Sequence, residues 1–319
     1  MAVVTIALAI SIRRTTDPGA LGVALTSILF LDAQFNYLML TWTELETSLG
    51  AISRIRNYEQ DTPSETDSSK NLEPSKSWPA IGKVEFKNVS ASYSASAPSV
   101  ISIPSLVIEP SKKVRVTGRT GSGKSTLLSL ITGLLAPTTG EIVVDDVSVS
   151  KIKPAVLRER LITIPQDSFV LPGLTVRENV DLLATSSDDK IRSALQKVGL
   201  WATISSRGGL DAEMPGLSQG EGQVFALARA LLKKWSKKNN EIGVLLLDEA
   251  TSSTERETDE RMGNVLKAEF KGWTIFMIAH RLESVKREDE IVIRLDQGQI
   301  AAIGSFEEVI GQSNKVNSE

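Results

Sequence analysis

The sequence predicts an α/β domain with a largely parallel sheet, and two observations carry that prediction. Strand-like apolar runs alternate with helical patterns along most of the chain, and four of these runs suggest core strands at residues 114–117, 161–165, 244–248 and 274–279. The second observation is a glycine-rich loop at residues 118–125, which follows the first of these runs directly. Earlier runs at 84–89 and 101–108 predict an antiparallel start to the domain.

The loop at residues 118–125 reads GRTGSGKS and fits the P-loop pattern G-x-x-x-x-G-K-[ST]. Gly121 and Gly123 let the backbone turn its N–H groups toward phosphate oxygens, Lys124 adds a charge at the β- and γ-phosphates, and Ser125 offers a hydroxyl to Mg²⁺. The alternative is a glycine-rich turn that matches by accident. Residues 126–135 continue as an apolar-faced helix, so the loop lies between strand and helix as the motif requires. A nucleoside triphosphate is the expected ligand.

The apolar run at residues 244–248 ends in two carboxylates, Asp248 and Glu249. Nucleotide-binding α/β sheets place their ligand-facing groups at the carboxyl ends of such strands. Asp248 is therefore predicted to hold Mg²⁺, and Glu249 to polarise a water molecule.

The composition limits the possible classes of protein. The chain has 319 residues, 41% of them hydrophobic, which leaves room for one domain of about 200 to 250 residues and an appendage. It has no cysteine, which excludes disulfides and thiolate metal sites and fits a domain that faces the cytosol. The net charge of −3 predicts no general attraction to nucleic acid. A local basic run is predicted to be a solvated loop: Lys233, Lys234, Lys237 and Lys238.

The first 60 residues are more apolar than the rest. Residues 2–12 are too few to cross a bilayer, whereas a helix over residues 20–42 would be about 34 Å long, enough to span it. Asp32, Gln34 and Asn36 interrupt this run, so the helix is expected to need protein neighbours. A buried helix of a soluble protein is the alternative, and a signal peptide is disfavoured because no Lys or Arg precedes the apolar run.

The domain boundaries follow from a change in composition. Residues 43–58 keep a helical pattern with charged residues on one face, and residues 61–80 are rich in Ser, Pro and charge without periodicity. We therefore expect a partial transmembrane domain at 1–60, a flexible linker at 61–80 and a nucleotide-binding domain at 81–319.

Five motifs occur in the order found in the nucleotide-binding domains of ABC transporters, which the chain resembles over essentially its whole length. They are the P-loop at 118–125, Gln166 in IPQD, residues 217–223 (LSQGEGQ), the Asp248-Glu249 pair and His280. Three runs, GRTGSGKS, EATSS and GAISRIR, look more narrowly like the C-terminal half of a subfamily C, multidrug-resistance-protein-like exporter. The resemblance implies an ABC ATPase fold with antiparallel β and helical subdomains after one or two transmembrane helices.

The resemblance also implies roles for single residues. Tyr93 would stack on adenine, Gln166 would reach the metal and the attacking water, Glu249 would be the general base and His280 would contact the γ-phosphate. The alternatives are an ordinary Tyr, an exposed loop Gln and a structural His. Further nucleotide contacts are implied for Gly118, Thr120, Gly121, Ser122, Gly123, Lys124, Ser125 and Thr126, and, toward a partner domain's ATP, for Ser218 and Gly220. The implied metal ligands are Ser125, Gln166 and Asp248.

Two departures from the family pattern concern the contact with a partner domain. The signature motif, residues 217–223, differs from the usual Leu-Ser-Gly-Gly-Gln by carrying Gln219 in place of Gly and Glu221 in place of Gln, and Glu221 would repel phosphate. Ser218 and Glu221 also fit a capping box before the apolar run at 224–232. Glu255 replaces the usual Asp of the loop that crosses the dimer interface.

The resemblance implies a membrane protein whose nucleotide-binding domain lies in the cytoplasm and uses ATP and Mg²⁺ for transport of small molecules or conjugates. One domain and one clear helix build no translocation path, so a second nucleotide-binding domain and further transmembrane helices are expected as partners. The alternatives are an inactive ATP-binding remnant of a truncated transporter and a P-loop kinase.

Overall fold

The computed structural model describes residues 7, 10, 11, 17–62, 72–94, 96–237, 242–248, 256–278 and 290–309. The chain forms two compact units, Met1–Glu65 and Thr66–Glu319. The first contains one long helix and the second contains the sheets.

Helix α1 covers Pro18–Asp61, a length of 44 residues or about 66 Å. It contains the predicted span at 20–42 and continues through residues 43–58. Its large apolar side chains are exposed, and hydroxyls such as Thr26 Oγ1 donate to the carbonyl four residues earlier, here at 2.8 Å. Within the described residues, α1 is the one helix long and apolar enough to cross a membrane by length and composition.

An antiparallel sheet opens the second unit, as predicted. It comprises β1 (Val84–Ala91), β2 (Ile101–Ile108), β4 (Thr139–Val144) and β5 (Val147–Ser148), in the order β2-β1-β4-β5. Phe86 on β1 lies opposite Leu106 on β2 and Ile142 on β4. All three side chains are buried, which fixes the register because a slip by one residue would expose them.

A six-stranded sheet forms the centre of the unit. Its strands are β3 (Lys113–Thr117), β6 (Ile162–Ile164), β7 (Val244–Leu247), β8 (Thr274–Ile278), β9 (Glu290–Asp296) and β10 (Gln299–Gly304). They lie in the order β10-β9-β3-β8-β7-β6, and all neighbouring pairs are parallel except β9 with β10. The P-loop and Asp248 follow β3 and β7, so both lie at the carboxyl edge of this sheet.

The helices pack around these sheets in two cores. They are α2 (Lys124–Ile131), α3 (Pro154–Arg160), α4 (Val176–Val180), α5 (Asp188–Lys197), α6 (Trp201–Ser206), α7 (Gln219–Ser236) and α8 (Arg256–Glu269). Leu245 and Leu247 of β7 join the core formed with α7, whereas Val244 and Leu246 join the core shared by the two sheets and α2. β7 is therefore buried on both faces, which explains its uninterrupted apolar sequence.

Part of the predicted linker is attached to the second unit. Residues 72–83, which we call the connecting strap, include the buried Trp78, whose indole Nε1 donates to Val144 O at 2.8 Å. Leu72 N donates to Lys151 O at 3.0 Å, and Leu72 O accepts from Lys153 N at 3.3 Å. The described part of this unit therefore begins at Leu72, before the expected domain start at residue 81.

The basic run after the signature differs from the predicted solvated loop. Lys233 and Lys234 lie in the last turn of α7, and Lys237 is its C-cap. Lys233 Nζ donates to Arg158 O at 2.7 Å and to Leu161 O at 2.9 Å, and burial lowers the pKa of this amine. The prediction was wrong for these three residues because long side chains can bury their stems and cap carbonyls of a neighbouring turn. Lys238 lies outside the described residues.

A buried ion pair joins β3 to β9. Arg115 Nε and Nη2 donate to Glu290 Oε2 at 2.9 and 2.7 Å, and both side chains are at most 5% exposed. Glu290→Ala should lower the free energy of unfolding by about 3 to 5 kcal/mol, because it leaves a buried guanidinium without its carboxylate. Chemical denaturation would measure this loss. The double variant Arg115→Met/Glu290→Met is the control, and a single variant no less stable than the double would contradict the prediction.

Candidate nucleotide-binding site

The loop between β3 and α2 has a backbone that glycine favours at three positions. Gly118, Gly121 and Gly123 have φ angles of +151°, +79° and +97°. A Cβ at Gly118 would lie 2.3 Å from Leu295 O and 2.4 Å from Ser122 Oγ, closer than real contacts allow. Conformation and space therefore both require glycine at position 118.

The side chain of Lys124 lies over this loop. It is 6% exposed, and its Nζ donates to Gly118 O and Arg119 O, both at 2.9 Å. Ser122 Oγ is buried and has no hydrogen-bond partner within the described part of the chain. A buried cation, an unmatched hydroxyl and the first N–H groups of α2 converge here, and this arrangement fits a polyphosphate.

Ser125 and Asp248 line the same cavity, whose volume is about 260 Å³. Asp248 N donates to Ile164 O at 2.9 Å, which fixes the end of β7 beside β6. Two oxygen ligands that line one cavity suit Mg²⁺, which prefers oxygen ligands such as carboxylates. The residues present therefore fit a nucleotide-bound magnesium ion.

Gln166 lies beyond β6 and lines a second cavity, of about 770 Å³. Ser218 and Gln219 line that cavity too. Ser125 and Asp248 thus share one cavity, and Gln166 shares the other with the start of helix α7.

Tyr93 lies beside the beginning of α2. Its hydroxyl is 3.0 Å from Thr126 Oγ1, and the residue is 65% exposed. A tyrosine held at its hydroxyl with its ring open to solvent is suited to stacking on a base. Thr126 was also expected to contact nucleotide, and in this structure its hydroxyl lies against the hydroxyl of Tyr93.

The signature helix α7 begins with the predicted capping box, which the structure confirms. Ser218 N donates to Glu221 Oε2 at 2.9 Å, and Glu221 N donates to Ser218 Oγ at 3.2 Å. The Glu221 carboxylate therefore lies at the end of the helix where an incoming phosphate would meet free N–H groups. Gly220 belongs to the same first turn, and Thr120 belongs to the loop before α2. Glu249, Glu255 and His280 lie outside the described residues.

Sequence reasoning missed the turn between β9 and β10, which supports the P-loop. Gly298 N donates to Ser122 O at 3.2 Å, and Gly298 O accepts from Ser102 N at 2.7 Å. A Cβ at Gly298 would lie 2.1 Å from Val100 O. The Asp-Gln-Gly sequence at 296–298 is a turn signal that could have located the hairpin, but it does not indicate contact with a loop far along the chain.

Comparison with known proteins agrees with this geometry. Residues 101–252 match the family model described as "ABC transporter". The "ABC-type transporter" of Gibberella zeae is 35% identical over 314 residues, covering 98% of this chain and 21% of that protein. "ABC multidrug transporter B" of Aspergillus fumigatus is 37% identical over 311 residues, covering 95% of this chain and 20% of that protein. The chain thus spans about a fifth of the length of the curated relatives it matches.

A solved structure also resembles this one. It is a bacterial Atm1-family ABC exporter with ATP bound, with a TM-score of 0.70 and 26% identity over 83% of this chain and 46% of that one. Over residues 101–252 the chain therefore has the ATP-binding domain of ABC transporters, a class of domain that acts as an ATPase in ABC exporters, and fungal ABC-type transporters are among its relatives.

Proposed function

We propose that this chain binds and hydrolyses Mg-ATP as part of an ABC exporter that moves small molecules or conjugates across a membrane. The observation that carries the proposal is the P-loop with Lys124 over it, next to a cavity that Ser125 and Asp248 share. Helix α1 supports the membrane location, with the ATP-binding domain on the cytoplasmic side.

We infer that the chain corresponds to the C-terminal part of a subfamily C exporter. It would comprise the end of the second transmembrane domain, the linker region and the second nucleotide-binding domain, with the expected divisions at 1–60, 61–80 and 81–319. The similarity to much longer fungal transporters extends over 98% of this chain, which includes α1 as well as the ATP-binding domain. The subfamily itself rests on the sequence motifs.

In this proposal each site residue has a distinct role. Lys124 and the loop N–H groups hold the phosphates, while Ser125, Asp248 and Gln166 hold Mg²⁺, which neutralises charge on the β- and γ-phosphates. Glu249 accepts the proton of the attacking water, and His280 contacts the γ-phosphate. Tyr93 stacks on the adenine ring.

Transport requires partners beyond the one ATP-binding domain and the one apolar helix of the described residues. A second nucleotide-binding domain and further transmembrane helices are needed for transport, and they belong to another chain or to another part of a longer protein. Glu221, bonded in its capping box, disfavours this signature as the one that completes a working site. We infer that Lys124, Asp248 and Glu249 belong to the competent site, which another domain's signature completes.

A second candidate function is an ATP-binding remnant that binds nucleotide without useful turnover. The Glu221 capping box and the change to Glu255 favour it. The third alternative, a P-loop kinase, is contradicted by the ABC transporter family match.

Mg-dependent ATP hydrolysis by the full chain in lipid nanodiscs, at several protein concentrations, tests the proposal. A rate that rises more steeply than linearly means that two copies complete a site, since each copy supplies one signature. A second result is that the chain alone binds nucleotide without hydrolysing it and then hydrolyses it after a second ABC domain is added. That result supports a site that is completed by the signature of a different domain. Binding without hydrolysis under both conditions supports the remnant.

Glu221→Gln should strengthen ATP-dependent self-association about two- to fivefold at low salt, because it removes a negative charge from the helix end that faces phosphate. Glutamine can still complete the capping box, so the stability of α7 should hardly change. Sedimentation velocity with Mg-ATP measures the association, and Glu213→Gln, at the same cavity but outside α7, is the matched control. An unchanged association constant would mean that this helix end meets no phosphate in the dimer.

A further inference from the structure

The connecting strap is fastened to the second unit at the turn between β4 and β5. Asp145 lies in this turn and accepts four backbone N–H groups of the strap. Its Oδ2 accepts from Ala80, Ile81 and Gly82 at 2.6, 2.9 and 3.0 Å, and its Oδ1 accepts from Lys83 at 2.7 Å. Four hydrogen bonds to one carboxylate make this a specific anchor.

A second anchor lies at the end of α3. Arg160 Nη1 donates to Trp78 O at 3.0 Å, contacts Ser75 O at 3.5 Å and also bonds to Lys76 O. One guanidinium nitrogen thus lies against three strap carbonyls. Because Arg160 is the last residue of α3, the strap is attached directly to the turn that leads into β6.

The end of α7 also holds this turn. Lys237 Nζ donates to Arg160 O at 2.6 Å, and Lys233 Nζ donates to Arg158 O and Leu161 O. Residues 158–161 are therefore a junction between the strap and the C-terminal end of α7.

This junction borders the nucleotide site. Arg158 and Leu161 line the 260 Å³ cavity together with Ser125 and Asp248. β6 begins at the next residue, its last carbonyl accepts the N–H of Asp248, and Gln166 follows two residues later. A shift of the junction would move both the metal-binding edge and Gln166.

We propose that strap docking and nucleotide binding are energetically coupled through this junction, with Arg160 as the positioning residue. The proposal rests on the proposed function only in requiring that the site binds nucleotide, and it does not require hydrolysis.

Hydrogen–deuterium exchange of the full chain in nanodiscs tests the coupling. Mg-ATP should slow exchange of the Ala80–Lys83 amides in the unsubstituted protein, and unchanged exchange there would overturn the proposal. Without nucleotide, Arg160→Met should speed exchange of these amides and of the amides of residues 162–164 and Gln166 by about tenfold, because it removes the Nη1 donor that the strap carbonyls share. Arg207→Met, at an exposed arginine, is the matched control. Faster exchange in the strap alone would also overturn the proposal.

The affinity for nucleotide provides an independent test, because a coupling between strap docking and nucleotide binding must act in both directions. If nucleotide slows strap exchange by some factor, a protein with an undocked strap must bind nucleotide more weakly by up to that factor. The double variant Asp145→Ala/Arg160→Met removes both anchors, and equilibrium dialysis with Mg-ATP measures its affinity. Unchanged affinity would refute the coupling. A total lack of nucleotide binding by the unsubstituted protein would instead refute the proposed function. In that case the hydrogen–deuterium exchange of Arg160→Met without nucleotide still decides whether Arg160 positions β6.

Discussion

Lys124→Met is expected to weaken ATP binding about 100-fold, since charged hydrogen bonds contribute about 1.5 to 3 kcal/mol each and 1.4 kcal/mol is tenfold in affinity. The Lys124 residue is largely buried and its ammonium already lies over the loop, held by Gly118 O and Arg119 O. It therefore meets the phosphates without first leaving bulk water. Methionine fills a similar volume but offers neither charge nor donor.

Equilibrium dialysis or a fluorescent ATP analogue would measure the affinity of Lys124→Met, and thermal unfolding would show that the domain remains folded. Lys112→Met is the matched control, because Lys112 is an exposed lysine just before β3. If both variants bound ATP like the unsubstituted protein, the phosphate site would lie elsewhere. A variant that unfolds would show that the two carbonyl contacts of Lys124 are mainly structural.

The features that could be predicted from the sequence are those that local chemistry determines. The capping box of Ser218 and Glu221 spans three residues, so its two hydrogen bonds were predictable from residue type and spacing. The strands β7 and β8 were predictable because burial on both faces leaves nearly continuous apolar runs. Ser125 and Asp248 are far apart in the chain, yet their shared cavity follows from the rule that parallel strands end at one edge of a sheet.

The strap and the lysine contacts could not be predicted in this way. Residues 72–80 are polar and lack periodicity, which is also the pattern of a linker, and their position depends on Asp145 and Arg160, more than sixty residues away. Lys233 likewise differs from a solvated lysine only through two carbonyls of a distant turn. Hydrogen bonds from side chains to distant backbone groups leave no pattern in the sequence, because every residue offers the same carbonyl.

Glu249→Gln is expected to reduce ATP hydrolysis by about 10² to 10⁴, the usual contribution of a general base, while ATP binding persists. The reason is its position next to Asp248, whose backbone N–H fixes the end of β7 beside β6. Glutamine has nearly the same shape but does not accept a proton from water. Lys124, Ser125 and Asp248 are unchanged in this variant, so bound ATP should accumulate.

Phosphate release and retention of labelled nucleotide on rapid filtration would separate the two effects of Glu249→Gln. Asp248→Asn is the informative comparison, because loss of the metal-binding carboxylate should weaken the Mg²⁺ dependence of binding, which Glu249→Gln should preserve. His280→Ala should slow turnover without abolishing binding. Unchanged hydrolysis in both the Glu249 and His280 variants would overturn their assigned roles. If the unsubstituted chain hydrolyses ATP only after a second ABC domain is added, Glu249→Gln is tested under that condition. A loss of hydrolysis of the same size would locate the working base in this chain, because the added domain would then supply only the signature.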